Sequence, residues 1–377
     1  MIHHVVPTLD KELGGVDVAA RELCDGLHSQ RENLLVHTLR RPMNPVKFQI
    51  QDYRLGRGSP MRLGWSPAMK AGLKASIQNG DVIHNHSLWM MPNIYAGQVA
   101  KQAGGILINT PHGTLSEWAL QRSSWKKHLS LFLGQRRALA NTDCFHVTGR
   151  AELEALRSLG YLQPVAMVPN GVCFPSGQER KGSSEGDFTV LFLARLHPVK
   201  GLDNLLRAWA RIEEKHKDDI RLIVAGPDEN GYGIKMQALA SRLGLKGVSF
   251  VGAVVGEKKS ALYESADIYV LPTHSENFGL TVAEALAHRT PVITTKGAPW
   301  EGVTKHQCGW WIDHGVEALF EALDKGIQTK RATLLAMGNQ GHDWMAKEFS
   351  WSSVALQMQC VYRWLEGAGS RPDFVEL

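Results

Sequence analysis

At 377 residues, with 44% hydrophobic and 21% charged residues, the chain has room for two cores and the composition of a globular protein, not a disordered or fibrous one. No run approaches the roughly 18–20 apolar residues of a membrane span. The first residues, Met1 to Pro7, lack the basic start and apolar segment of a secretion signal, so a cytoplasmic location is expected. The net charge of +5 is uneven: 19 Lys and Arg face 12 Asp and Glu through Gly171, and 23 face 25 beyond it. The first half therefore carries a basic face, open to an anionic membrane surface or simply to solvent.

In chain order, Leu34–Thr38, Val82–His84 and Ile106–Asn109 read as strands, and Val16–His28 and Ala96–Ala103 as helices. The alternation is clearer in the second half. Strands are predicted at Phe188–Leu193, Arg221–Gly226, Val248–Val251, Asp267–Leu271 and Pro291–Thr295. Helices are predicted at Gly201–Glu214, Tyr232–Leu243, Lys258–Ser265 and from Thr281 onward. Strands alternating with helices mean parallel sheets, here two doubly wound α/β domains facing across a cleft. Pro175–Gly186, polar and rich in Gly and Ser, reads as the linker. Trp351–Leu365 has apolar residues at helical spacing and reads as a closing helix. Five scattered cysteines without a CxxC pair favour a reducing compartment over disulfides or structural zinc.

The densest chemistry lies in His274-Ser275-Glu276-Asn277-Phe278-Gly279-Leu280 and the following helix, which holds Glu284. Glu276 falls in the loop leaving a strand, where open α/β sheets bind their ligands. The leading N–H groups of Gly279, Leu280 and Thr281 favour an anion. Two carboxylates beside an anion site suit a ligand with both hydroxyls and phosphate, such as a nucleotide sugar. Arg195 and Lys200 sit in another strand-to-helix loop, as phosphate-binding cations would. Gly14 and Gly15 open the first helix, where glycine admits a ligand to the backbone. His112 ends a strand and titrates near neutrality in water. His84 and His86, at alternate strand positions, point their rings the same way beside Asp81. No further ligands complete that set and no Asp-x-Asp is present, so no metal is expected. Between Glu117 and Ala138, Trp118, Trp125 and Phe132 alternate with Arg122, Lys126, Lys127, Arg136 and Arg137. That pattern fits a basic amphipathic helix at an anionic membrane or one packed on its own domain. GxGxxG, GxxxxGK[ST] and nucleic-acid motifs are absent, so a dinucleotide enzyme, a P-loop nucleotidase and a nucleic-acid partner are not expected.

Taken together, Gly14-Gly15, Pro111-His112-Gly113, Val168-Pro169-Asn170-Gly171, Arg195…Lys200-Gly201, Val224-Ala225-Gly226 and the Glu276-x7-Glu284 pair resemble glycosyltransferase family 4, the retaining GT-B enzymes, over nearly the whole chain. The resemblance implies a GT-B fold whose closing helix crosses back to the first domain. Residues 1–171 with 351–377 would then form the acceptor side, and 172–350 the donor-binding domain. It implies that Arg195 and Lys200 bind the donor diphosphate, Glu276 the sugar hydroxyls and Glu284 the ribose. Asn277, Phe278, Gly279 and Leu280 would meet sugar and phosphate, His112 the donor sugar and Gly15 the phosphate region. The implied donor is a UDP- or GDP-sugar, and the implied acceptor a bacterial surface glycan, free or lipid-linked. Many exopolysaccharide-building relatives carry Arg where this chain has His112. An epimerase or phosphorylase on the same scaffold, or a sugar-nucleotide-binding module without catalysis, are the competing readings.

Overall fold

The computed structural model describes residues 1–10, 15–115, 130, 134–175, 187–216 and 219–377. The expected linker after Pro175 and most of the basic aromatic segment, including Trp118, Trp125 and Phe132, lie outside these residues, as does Gly14. The chain divides into two units, Met1–Gly171 with Trp351–Leu377, and Val172–Ser350.

In the first unit, strands β1 (Ile2–Val5), β2 (Leu34–Thr38), β3 (Gln49–Asp52), β4 (Val82–His86), β5 (Ile106–Thr110), β6 (Cys144–Val147) and β7 (Val165–Met167) form a parallel sheet. Its order is β7-β6-β5-β4-β1-β2-β3, and the terminal strand Val375–Glu376 adds antiparallel to β7. Helices α1 (Gly15–Ser29), α2 (Pro67–Ser76), α3 (Met91–Ala103), α4 (Arg136–Ala140) and α5 (Arg150–Ser158) accompany the sheet. The predicted strands are met almost to the residue. β3, β6 and β7 escaped prediction: β6 and β7 are only four and three residues long, and Gln49-Ile50-Gln51-Asp52 is a largely exposed edge strand with no buried face to impose alternation.

The second unit is a six-stranded parallel sheet, ordered β10-β9-β8-β11-β12-β13. Its strands are β8 (Phe188–Leu193), β9 (Ile220–Ala225), β10 (Val248–Gly252), β11 (Ile268–Leu271), β12 (Val292–Thr295) and β13 (Gly309–Ile312). Its helices are α6 (Leu202–His216), α7 (Tyr232–Arg242), α8 (Gly256–Ser265), α9 (Leu280–Ala287), α10 (Gly302–Lys305), α11 (Val316–Gln328) and α12 (Arg331–Glu348). One continuous apolar core runs from Val190 and Phe192 through Trp209, Ile268 and Val270 to Ile293. The last helix, α13 (Trp351–Leu365), returns to the first unit, where Val354, Met358 and Val361 join the cluster of Leu23, Leu27 and Val36. Gly26 lets α1 approach α13, since a Cβ there would lie 2.9 Å from the Trp351 carbonyl oxygen.

Candidate functional site

β11 is buried at all four positions and delivers the chain to a loop spanning 272–279. The loop is braced at both ends: the His274 N–H donates to the Val199 carbonyl (2.7 Å) and the Glu276 N–H to the Gly297 carbonyl (2.8 Å). Gly279 has φ +81°, a conformation L side chains rarely adopt, and closes the loop as α9 begins. The Leu280 and Thr281 N–H groups therefore lead α9 without carbonyls one turn back to receive them, whereas the Val282 N–H already donates to the Gly279 carbonyl (2.9 Å). Phe278 is buried against Trp300 and Phe349, and its carbonyl accepts the Trp300 indole N–H, so its side chain serves the core.

Lys200 ends a 3-10 turn, Pro198–Lys200, that the His197 ring caps by accepting the Val199 N–H (3.2 Å). The next residue, Gly201, has φ +69°, and a Cβ there would fall 2.1 Å from the Pro272 carbonyl oxygen. The loops after β8 and β11 are thus pressed together, backbone to backbone. Across that contact the Lys200 ammonium donates to the Glu276 carboxylate, with the two side chains only 10% and 19% exposed. The sequence placed Arg195 and Lys200 together as a cationic clamp, but each is already matched with its own carboxylate. Arg195, 55% exposed, pairs with Glu229 (2.5 Å). Glu284 accepts from Lys259 (2.6 Å) and from the Tyr263 hydroxyl (2.9 Å). Burial, with the Glu284 charge behind it, pushes the Tyr263 phenol well above its ordinary range. Beside the Lys200 turn, a groove of about 610 Å³ is lined by Val199 and His274 and carries Arg207, Lys235 and Arg242. Lys235, Arg242 and Lys259, distant from the two loops in sequence, could not be picked out by spacing, and Arg207, on the helix that follows Lys200, was not singled out.

In the first unit, Gly15 opens α1, and a Cβ there would meet nothing within 4 Å among the described residues. His112 follows β5 in the left-handed region (φ +51°). Its turn is tied down by Glu152 of α5, whose carboxylate accepts from the Gly113 N–H and from the N–H and hydroxyl of Thr148 (2.8 and 2.9 Å). Burial lowers the pKa of His112 to about 4, so its ring is neutral at pH 7.

Behind His112 the sheet interior is unusually polar. His3, His4, His37, His84, His86 and His146 are all buried, and burial lowers the pKa of each. They form hydrogen-bonded strings. On one face the Tyr53 hydroxyl meets His37 Nδ1 (2.8 Å), His37 Nε2 meets His3 Nδ1 (3.0 Å), and His3 Nε2 meets Asp81 (3.3 Å). On the other, Tyr362 meets His84 Nδ1 (2.7 Å) and His84 Nε2 meets Thr110 Oγ1 (2.7 Å). Thr110 continues to His146 Nδ1 (3.0 Å), and His146 Nε2 reaches the Val168 carbonyl (3.0 Å). His84 and His86 do share a face, with ring centroids 4.3 Å apart. Together with His4, they offer one ligand atom each within 4.8 Å of one another. Asp81 is not in that group; it serves His3 and the N-terminal ammonium.

A family model described as "Glycosyltransferase Family 4" matches residues 13–173, and one described as "Glycosyl transferases group 1" matches residues 176–344. The chain belongs to this glycosyltransferase family. Curated relatives include proteins named D-inositol 3-phosphate glycosyltransferase from Segniliparus rotundus (28% identical over 305 residues) and Salinispora tropica (27% over 312 residues). Each alignment covers 75% of this chain but only 66% and 63% of those proteins. Among solved structures, sucrose-phosphate synthase from Thermosynechococcus elongatus superposes with a TM-score of 0.74 at 22% identity, covering 98% of this chain and 99% of that one. Anabaena HepE, solved with UDP and glucose, gives 0.70 at 17% identity over 95% and 98%. WaaG, described as a glycosyltransferase involved in lipopolysaccharide biosynthesis, gives 0.65 at 17% over 97% and 100%. The fold is GT-B, as the motifs implied. No helix among the described residues is long and apolar enough to cross a membrane.

Proposed function

We propose that the chain is a retaining glycosyltransferase that moves a sugar from a UDP- or GDP-sugar to a hydroxyl of a glycan or lipid-linked acceptor in bacterial surface-polysaccharide synthesis. The observation that carries this reading is the shielded Lys200–Glu276 pair beside the N-terminus of α9. The pair holds a cation and a carboxylate in reserve, and an incoming diphosphate competes for the ammonium. As the bond from the anomeric carbon to the donor phosphate breaks, charge grows on the diphosphate, and Lys200, Arg195 and the α9 amides stabilise it. Glu276, released from Lys200, accepts sugar hydroxyls, and Glu284 serves the ribose. The acceptor oxygen bonds to the anomeric carbon on the face the diphosphate leaves, and its proton passes to the departing phosphate oxygen. This route places no ion between protein and diphosphate. A glycosyl adduct trapped on Glu276 and seen by mass spectrometry would refute it.

Anabaena HepE has been solved with UDP and with UDP-glucose, which favours a uridine donor. The relatives' name adds phosphorylated inositol as a second acceptor class to test. A nucleotide-release assay across UDP- and GDP-sugars, with and without acceptor, separates the readings. Acceptor-dependent release supports transfer; sugar interconversion without acceptor means an epimerase; binding without turnover means a recognition module. The basic first half further suggests peripheral docking on anionic lipid. Binding to phosphatidylserine vesicles should weaken as salt rises, and indifference to salt would refute an electrostatic contact.

A further inference from the structure

His112 does not stand alone. Its Nε2 lies 3.5 Å from His86 Nδ1, with the two rings stacked, and His86 Nε2 lies 2.9 Å from His4 Nδ1. This third string starts at the partly exposed His112 and ends inside the sheet at His4 Nε2, which is buried and has no hydrogen-bond partner among the described residues. All three rings are held neutral by burial. A neutral imidazole has one N–H and one lone pair, and the bond made by one nitrogen decides which the other carries.

The other two strings have their direction imposed by an obligate acceptor. The Val168 carbonyl requires His146 Nε2–H, so Thr110 donates to His146, His84 to Thr110 and Tyr362 to His84. The Asp81 carboxylate likewise requires His3 Nε2–H, so His37 donates to His3 and Tyr53 to His37. The third string has no such terminus, but its buried end is equally decisive. Orphaned buried N–H groups are rarer in proteins than under-used acceptors, and an orphan costs roughly 1–3 kcal/mol. His4 Nε2 is therefore the bare nitrogen. His4 Nδ1–H then donates to His86 Nε2, and His86 Nδ1–H donates to His112 Nε2.

We infer that His4 and His86 are positioning residues that lock His112 as the Nδ1–H tautomer, so that it meets its ligand as a neutral hydrogen-bond donor toward an oxygen lone pair. The ligand's identity rests on the proposed donor site, whereas the tautomer does not. Nitrogen-15 histidine NMR of the wild-type protein at pH 7 reads it directly. The expected result is a one-bond proton coupling at His112 Nδ1 and none at Nε2, and the reverse pattern would overturn the inference. In His4→Phe the pure Nδ1–H signal should give way to a mixture, and an unchanged signal would show that the string does not set it. If His4→Phe does not fold, the wild-type spectrum still decides. A second measurement compares His112→Asn with His112→Asp, both short side chains tolerant of the left-handed backbone. Asn restores a donor near the Nδ1 position and should keep the KM for donor nearer wild type than Asp. Equal KM values would overturn the donor role. A correct tautomer in a protein without transferase activity would sink the functional proposal and leave this one standing.

Discussion

The two sheets solve the same packing problem with different materials. In the second unit the central strands are carried by Val190, Phe192, Ile268, Val270 and Ile293, with Thr189, Thr294 and Thr295 as the buried polar positions on β8 and β12. In the first unit, buried positions of β1, β2, β4 and β6 hold imidazoles that complete one another's hydrogen bonds. An apolar core is indifferent to pH, whereas a core of neutral histidines is stable only while those rings stay unprotonated. One architecture can thus be sealed mainly by hydrophobic burial or by a polar network, and the network, with six buried histidines against His288 alone among the described residues of the second unit, answers more strongly to pH.

The largest test of that contrast is acid. The native pKa values of His4 and His37 lie near 3, and those of His112 and His146 near 4, against about 6.5 in the unfolded chain. Between these limits the unfolded state binds protons that the native state refuses, so stability falls as pH falls. Each such histidine removes up to about 1.4 kcal/mol per pH unit. Hydrogen-exchange mass spectrometry from pH 7 to pH 4 should show protection lost in β1 and β4 while β8 and β11 keep theirs. Simultaneous loss would erase the contrast.

The next effect belongs to the second unit alone. Lys200→Ala should slow transfer roughly 10²–10³-fold, about 2.7–4 kcal/mol of barrier, with a smaller loss in thermal stability. Equal losses would mean the pair is structural. Smaller still, Glu284→Gln should weaken nucleotide binding about tenfold, or about 1.4 kcal/mol, with kcat nearly unchanged in steady-state kinetics. Tyr362→Phe should cost the first unit about 1 kcal/mol by leaving His84 Nδ1 without its donor. Denaturant unfolding would register this, and no change would mean the string carries no stability.

Most of the fold could be read from the chain because buried parallel strands are short apolar runs and their helices are amphipathic, as at Phe188–Leu193 and Leu202–His216. Polar or very short strands, such as β3 and the terminal Val375–Glu376, announce themselves only through pairing. The loops bearing Lys200 and Glu276 were legible because each follows a clear strand. Their ion pair was not, since a separation of 76 positions carries no register between loops. The histidines were read singly, His112 as a ligand contact and His84 with His86 as a rejected metal pair. Their common role appears only when β1, β2, β4 and β6 are set side by side. Glu152 was missed for the same reason: a helix carboxylate is ordinarily solvated, and only the His112 turn packed over it gives it a task.

The contact of Gly201 with the Pro272 carbonyl also bears on how such an enzyme can be re-engineered. With no space for even a methyl group between them, the β8 and β11 loops form one graftable part. Replacing either alone with a relative's loop would set a foreign backbone against a native one where even a Cβ on residue 201 would fall 2.1 Å from the Pro272 carbonyl oxygen. Swaps of donor preference should therefore carry residues 195–201 and 272–280 together, as a single cassette.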